Sequence, residues 1–234
     1  TPPDRTGGIL AVDIEGNPLP DPPLGSSDDE SDFRHYYYAY GIRNSFGLDI
    51  DPVTGNLWDT ENGPEYGDEI NLVEPGFNSG WADVQGMASS EENDDVDLDE
   101  DLVDFDGMGH YSDPEFVWQD TVGVTAIKFL NSTALGEQYE NDLFVGDING
   151  GKLYHFDLNE SRTGLMLDGP LADKVAANDT ELDSVIFGTG FHSITDIEVG
   201  PDGYLYVLLY GGDLMRITPR GDNEMQEFDF TEAS

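Results

Sequence analysis

Residues 61–72, ENGPEYGDEINL, set Glu61, Glu65, Asp68 and Glu69 around a Gly63-Pro64 corner and then run into apolar alternation. A turn by itself needs only the glycine and the proline. Carboxylates gathered on a backbone held by those two residues make the oxygen-rich set that a hard divalent cation takes. The plain alternative is an acidic hairpin turn whose charges only meet water. Other groups suited to chemistry are few. There is no cysteine, so thiolate metal sites, thiol nucleophiles and disulfides are excluded. Four histidines, His35, His110, His155 and His192, are scattered along the chain. None lies in a recognisable catalytic motif, and each reads as a surface or packing residue.

The charge balance narrows the partners. Fifty acidic residues face nine basic ones, for a formal net charge of −41 over 234 residues. Nucleic-acid binding is excluded, because phosphate contacts need Lys and Arg. Such a surface suits saline surroundings, where salt screens its self-repulsion. Local calcium sites are compatible with it. No run of eighteen apolar residues exists, so no membrane span is expected. Thr1 to Leu10 lack the basic-then-apolar pattern of a signal peptide. Three N-x-[ST] sequons, at Asn131, Asn159 and Asn178, point to an exported, extracellular or cell-surface glycoprotein.

The elements that must position the carboxylates come from internal repetition. GGILAVDIEG at 7, GGKLYHFDLN at 150 and GGDLMRITPR at 211 are each a Gly-Gly turn followed by alternating residues. NDLFVGDI and GYLYVLLY precede the second and third copies, and TAIKFL and ITDIEV precede those. The order FGLDID, GNLWDTEN, DEINLVEP repeats the scheme. Three units of about three strands each are predicted, with turn signals between them and almost no helical periodicity. Radially repeated sheets make a β-propeller, and a β-sandwich is the structural alternative. The first copy reads as the closing strand of a unit whose earlier strands are absent. Residues preceding Thr1 are therefore expected to belong to the fold. Residues 17–32 read as a Pro-, Ser- and Asp-rich loop, and residues 89–106 as an acidic loop insertion in one propeller domain spanning 1–234. Within that insertion Asp95, Asp97 and Asp99 have calcium-loop spacing, but Glu100 stands where such a loop needs glycine.

The segment from Tyr38 to Trp81, YAYGIRNSFGLDIDPVTGNLWDTENGPEYGDEINLVEPGFNSGW, resembles the glucose/sorbosone dehydrogenase family of soluble aldose sugar dehydrogenases. It shows an R-N pair before a GL-x-x-DP-x-TG hairpin, a GP…GDE-[IVL]-N loop, and PG-x-N-x-GW, in that order. The resemblance implies an all-β, six-bladed propeller of which this chain supplies roughly the last three to four blades. It implies pyrroloquinoline quinone (PQQ) and calcium as cofactors, and hydride transfer from a sugar C1 to the quinone. By the same resemblance Arg43, Asn44, Gly63 and Pro64 contact the cofactor, with Gly63 and Pro64 ligating its calcium through carbonyls. Glu69 and Ser79, with Asp68 nearby, correspond to a second, structural calcium. The catalytic histidine is expected upstream of Thr1.

Three departures from the family pattern stand out. Ser193 and Thr195 occupy the positions of an R-x-R cofactor clamp. Asn149 occupies that of a cofactor lysine, with Lys152 displaced. The expected partners are a sugar substrate, the missing N-terminal blades and a second copy in a homodimer. Two other functions remain open: a catalytically inactive, calcium-stabilised propeller used as a protein-binding module, and a carbohydrate binder in which Tyr36, Tyr37 and Tyr66 stack on sugar faces.

Overall fold

The computed structural model describes residues 6–29, 32–219 and the backbone of 228–232. Strands are numbered in chain order. β1 (Gly8–Leu10) and β2 (Tyr37–Tyr40) open a first sheet. The chain then builds most of a second sheet from β3 (Ser45–Ile50), β4 (Leu57–Glu61) and β5 (Tyr66–Val73). It returns to the first sheet with β6 (Phe77–Asn78) and β7 (His110–Tyr111), then to the second with β8 (Phe116–Asp120). The third sheet takes β9 (Val124–Phe129), β10 (Leu143–Asp147) and β11 (Lys152–Phe156). β12 (Val175–Ala176) then pairs parallel to β8, and β13 (Ile186–Thr189) completes the third sheet. A fourth sheet follows from β14 (Ile194–Val199), β15 (Leu205–Leu209), β16 (Leu214–Pro219) and β17 (Phe228–Glu232).

The sheets run in the orders β1-β2-β6-β7, β12-β8-β5-β4-β3, β13-β11-β10-β9 and β14-β15-β16-β17. The three repeated units are thus built on four-stranded antiparallel meanders rather than three-stranded ones, with β12 added as a fifth, parallel strand in the second sheet. The fourth strands, β8, β13 and β17, lie beyond connections too long for a hairpin signal. The innermost strands β3, β9 and β14 are neighbours, so three complete sheets fan around one axis as blades do. The first sheet contributes outer strands that cover the second through Ala39, Ile42, Val73 and Phe77.

Alternation explains the packing. One large cluster joins Trp58, Phe116 and Trp118 of the second sheet to Phe129, Tyr154 and Phe156 of the third. Another joins Phe144 and Leu153 to Ile197, Leu205 and Val207 of the fourth. The free face of β3 is different: Phe46, Leu48 and Ile50 are 57%, 50% and 59% exposed. An apolar stripe at period two is built to be covered.

The acidic run at 89–106 carries a 3-10 turn, Glu91–Asn93, and a one-turn helix α1 (Leu98–Asp101). Asp97 caps α1 by accepting a hydrogen bond from the Asp99 N–H. The Val103 carbonyl accepts from the Tyr40 hydroxyl, which anchors the run to β2. Asn93 is buried and donates to the carbonyls of Gln85 and Met87. No helix among the described residues is long and apolar enough to cross a membrane. The loop reading of 17–32 includes two residues, 30 and 31, outside the described set.

Candidate functional site

Strand direction gathers the sequence-predicted residues at one mouth of the fan. The inner strands start immediately after Arg43-Asn44, Val122-Gly123 and His192-Ser193. β4 is antiparallel to β3 with Ser45 opposite Glu61, so the Gly63-Pro64 corner returns to the same end. β10 is antiparallel to β9 with Asp147 opposite Val124, so the turn holding Asn149 lies there too. Three bonds tie the mouth together. The Asn62 N–H donates to the Asn44 carbonyl at 3.0 Å. The Asn62 amide donates to the Val124 carbonyl at 2.7 Å. The Thr125 hydroxyl donates to the Ile194 carbonyl at 2.7 Å.

Arg43 is set apart by what it does not touch. Arg34, Lys128, Lys152, Arg162, Lys174 and Arg216 each pair with an Asp or Glu. Among the described cations Arg43 alone has no carboxylate partner for its guanidinium. Its Nη1 donates to the Asn62 carbonyl at 2.8 Å, and its Cζ lies 5.4 Å from the Trp81 ring centre. A half-buried guanidinium without an acid, in a chain this acidic, is free to pair with an anionic ligand.

The corner is held by Asp68. Its Oδ1 accepts from the Gly63 N–H at 2.9 Å, and its Oδ2 from Val122 and Gly123 at 2.8 and 2.6 Å. Asp68 is fully buried and already committed to the backbone, binding the Gly63-Pro64 corner to the turn before β9. Any Cβ at position 63 would collide with the Tyr66 carbonyl, which is why glycine stands there. Pro64 and Glu65 are exposed.

The buried carboxylates lie one step inside. Asp59 and Glu61 share a face of β4, opposite Asn71 and Glu69 of β5. Asp59 and Glu61 are fully buried and Glu69 nearly so. Glu61 accepts from the Arg43 N–H at 2.6 Å and the Ser79 hydroxyl at 2.7 Å. Glu69 accepts from Gln85 at 2.8 Å, Gly86 at 2.6 Å and Asn71 at 3.2 Å. Both oxygens of Asp59, with Asn71 Oδ1 and Ser45 Oγ, are buried without a partner. Burial pushes Asp59 up to about 7; burial and the Asp59 charge push Glu61 up to about 8. Burial and the neighbouring Glu61 also push Glu69 well above the usual carboxylate range. These three carboxylates are enclosed together without a salt bridge, and of the charges around them only that of nearby Arg43 favours ionisation of Glu61, so ionising all three at once is costly. Carboxylate and amide oxygens are what calcium binds.

Sequence reasoning named Glu69 and Ser79 and placed Glu61 among the carboxylates around the corner, but missed Asp59 as a member of this cluster. Strand alternation was the available signal. Asp59 and Glu61 lie two apart in a strand, and Glu69 and Asn71 two apart in the next.

The remaining positions separate cleanly. Thr195 donates its hydroxyl to the Leu208 carbonyl, and the Ser193 carbonyl accepts from Tyr210. Lys152 is taken up by Asp179 at 2.9 Å. Asn149 is exposed at the mouth. Tyr37 is buried, with its hydroxyl on the Thr6 carbonyl, so it cannot stack on a sugar; Tyr36 and Tyr66 are half-buried. Asn131 and Asn178 are exposed, whereas Asn159 is half-buried and accepts from Ser161 and Thr163 within its own turn.

Fan and mouth together define the class: part of a β-propeller, with Arg43 at the mouth and a group of buried carboxylates just inside it. The sequence model of the family described as Glucose / Sorbosone dehydrogenase matches residues 2–216, and the chain belongs to that family. The aldose sugar dehydrogenase YliI of Escherichia coli K12 is 30% identical over 199 residues, covering 82% of this chain and 46% of that protein. Quinoprotein glucose dehydrogenase B of Acinetobacter calcoaceticus is 35% identical over 80 residues, which is 34% of this chain and 16% of that protein. The solved apo-form of the E. coli soluble aldose sugar dehydrogenase superposes with a TM-score of 0.64 at 27% identity, covering 92% of this chain and 55% of that one. The chain therefore spans about half the length of these aldose sugar dehydrogenases, in keeping with a partial propeller.

Proposed function

We propose that the protein containing this chain oxidises aldose sugars with PQQ and calcium, and that this chain supplies the later blades and one wall of the cofactor mouth. The observation that carries the reading is Arg43, a cation kept free of carboxylates at the mouth of a strongly acidic propeller. The names of the relatives, an aldose sugar dehydrogenase and a quinoprotein glucose dehydrogenase, agree with it. When bound, the quinone with its calcium supplies an electrophilic centre for hydride. The residues present suit those groups in part. Arg43 offers two parallel hydrogen bonds to a carboxylate, and Asn44 lies beside it. The Gly63-Pro64 corner is held rigidly by Asp68, so carbonyls there would meet a cation without reorganisation. Asp59, Glu61, Glu69 and Asn71, with Ser79 against Glu61, form an enclosed all-oxygen set for a structural calcium. The apolar face of β3 is where upstream blades would pack, and a histidine base would come with them. Export to a saline environment, glycosylation at Asn131 and Asn178, and self-association belong to the same proposal.

A specific observation favours a second reading. Ser193, Thr195 and Asn149 bring no cation to the mouth, and Lys152 is spent on Asp179. A propeller that keeps the structural calcium but has lost the quinone would serve as a binding module. A PQQ titration of the full-length protein in excess calcium, followed by tryptophan quenching, separates the two. The dehydrogenase reading expects saturable binding that Arg43→Ala weakens at least about tenfold, a bidentate charged contact being worth 1.5–3 kcal/mol or so, with little change in Tm. Absence of binding, with calcium still raising Tm, selects the binding module.

A further inference from the structure

We propose that Asp142, His155 and Asp157 form a second metal site, separate from the mouth, that takes a first-row transition ion of the Zn2+ class. β10 and β11 are antiparallel, with Leu143 opposite Phe156 and Phe144 opposite His155. One step further, at the end of the pair remote from the mouth, Asp142 faces Asp157. Like charges directly opposite across a hairpin are destabilising. His155 Nε2 sits between them, 2.9 Å from Asp142 Oδ2 and 3.9 Å from Asp157 Oδ1. One ligand atom from each of the three residues lies within 4.8 Å of the others. A tetrahedral zinc ion with bonds of about 2.0–2.1 Å holds neighbouring ligand atoms about 3.3 Å apart. Small side-chain shifts would close the set on an ion.

Two further observations point to a ligand. Asp142 is 8% exposed, and among the described residues its carboxylate meets no Lys, Arg or backbone N–H. Two carboxylates facing each other across the hairpin share, among the described residues, one imidazole as their only side-chain partner of opposite character. The imidazole is also held in place: Tyr139, Phe144 and Phe187 surround it at 5.1, 5.0 and 6.2 Å between ring centres. Packed among these rings, the imidazole directs Nε2 at Asp142 Oδ2. Asp157 is 60% exposed and lines, with His155, a cavity of about 500 Å³, which leaves room for water at the open coordination position. An imidazole nitrogen among two carboxylates suits zinc and its neighbours, whereas calcium takes oxygen ligands alone.

Zn2+ titration by calorimetry tests this on EDTA-stripped protein resaturated with calcium. Because no quinone is involved, the outcome is independent of the dehydrogenase reading. One Zn2+ per chain is expected, tighter than about 10 μM despite excess calcium. His155→Ala and Asp157→Asn should each weaken it at least about tenfold, the effect of losing one ligand of a small set, while His110→Ala leaves it unchanged. Should His155→Ala fail to fold, the exposed Asp157 variant carries the test. No stoichiometric Zn2+ uptake by the parent protein, or uptake unchanged in Asp157→Asn, overturns the site.

Discussion

At the scale of single residues, the molecule turns on charges that lack their usual partners. Asp59, Glu61 and Glu69 are buried without a salt bridge, and the Arg43 guanidinium pairs with no carboxylate, although its charge reaches Glu61. The acids make a pH prediction. An unfolded carboxylate titrates near about 4, while burial raises Asp59 to about 7 and Glu61 to about 8. The folded, metal-free protein thus holds protons that the unfolded chain has released. Stability is fullest below about pH 4 and falls as pH rises towards the folded values. A bound cation removes the need for those protons. Melting curves from pH 5 to 9 should slope downward in EDTA and flatten in millimolar calcium. Asp59→Asn should flatten the EDTA series and shrink the calcium-induced rise in Tm. A metal-free Tm that climbs over this range, or an Asp59→Asn variant with the full calcium response, would sink the cation assignment. The residue types around Gly63-Pro64 were enough to suggest a cation. Which carboxylates are enclosed together depended on the β4–β5 register, which sets Asp59 opposite Asn71, twelve positions on, and Glu61 opposite Glu69, eight positions on.

At the scale of elements, one buried side chain joins two connections that the sequence keeps far apart. Asp68 accepts from Gly63 before β5 and from Val122 and Gly123 before β9. The acid motif reads as a ligand, yet the fold uses this member as a staple. Asp68→Ala would leave three backbone N–H groups without their acceptor, at a cost of roughly 3 kcal/mol. Urea unfolding measures it, and a loss below about 0.5 kcal/mol, the range of an ordinary surface substitution, would refute the staple. The hairpin strands were legible because Gly-Gly, Pro-Asp-Gly and Asp-Pro-x-x-Gly turns fix their boundaries. The outer strands β8, β12 and β13 were not, because they reach their neighbours across long irregular connections and β12 is only two residues long. Asp51 shows the same dependence on distant sequence. It is wholly buried and pairs with Arg162 at 2.7 Å, 111 positions away.

At the scale of the whole molecule, electrostatics and surface exposure dominate. A net charge of −41 repels itself, and counter-ions weaken that repulsion over the Debye length, about 10 Å at 0.1 M salt. Tm should therefore rise with monovalent salt between 0.1 and about 1 M at fixed calcium. A fall over that range would mean that pairs such as Asp51–Arg162 outweigh the general repulsion. The exposed stripe of Phe46, Leu48 and Ile50 on β3 also belongs to this scale. In a chain spanning about half of its relatives it marks an open side of the fan, where the first sheet supplies only outer strands.

The strand pattern, the turn chemistry, the family motifs and the acidic surface were all determined by the sequence alone, because each rests on residue type or on neighbours within a few positions. Tertiary structure decided which acids are buried, which cation is unpaired, and which side chains meet across strands. It gave Asp68 three backbone N–H donors from two connections, brought Asp59 into the group of buried carboxylates, and set Asp142 against His155 and Asp157. The reason is the same in every case. Desolvation and hydrogen-bond supply, which govern whether a charge holds the fold or waits for a ligand, depend on surroundings contributed by residues far away in the chain.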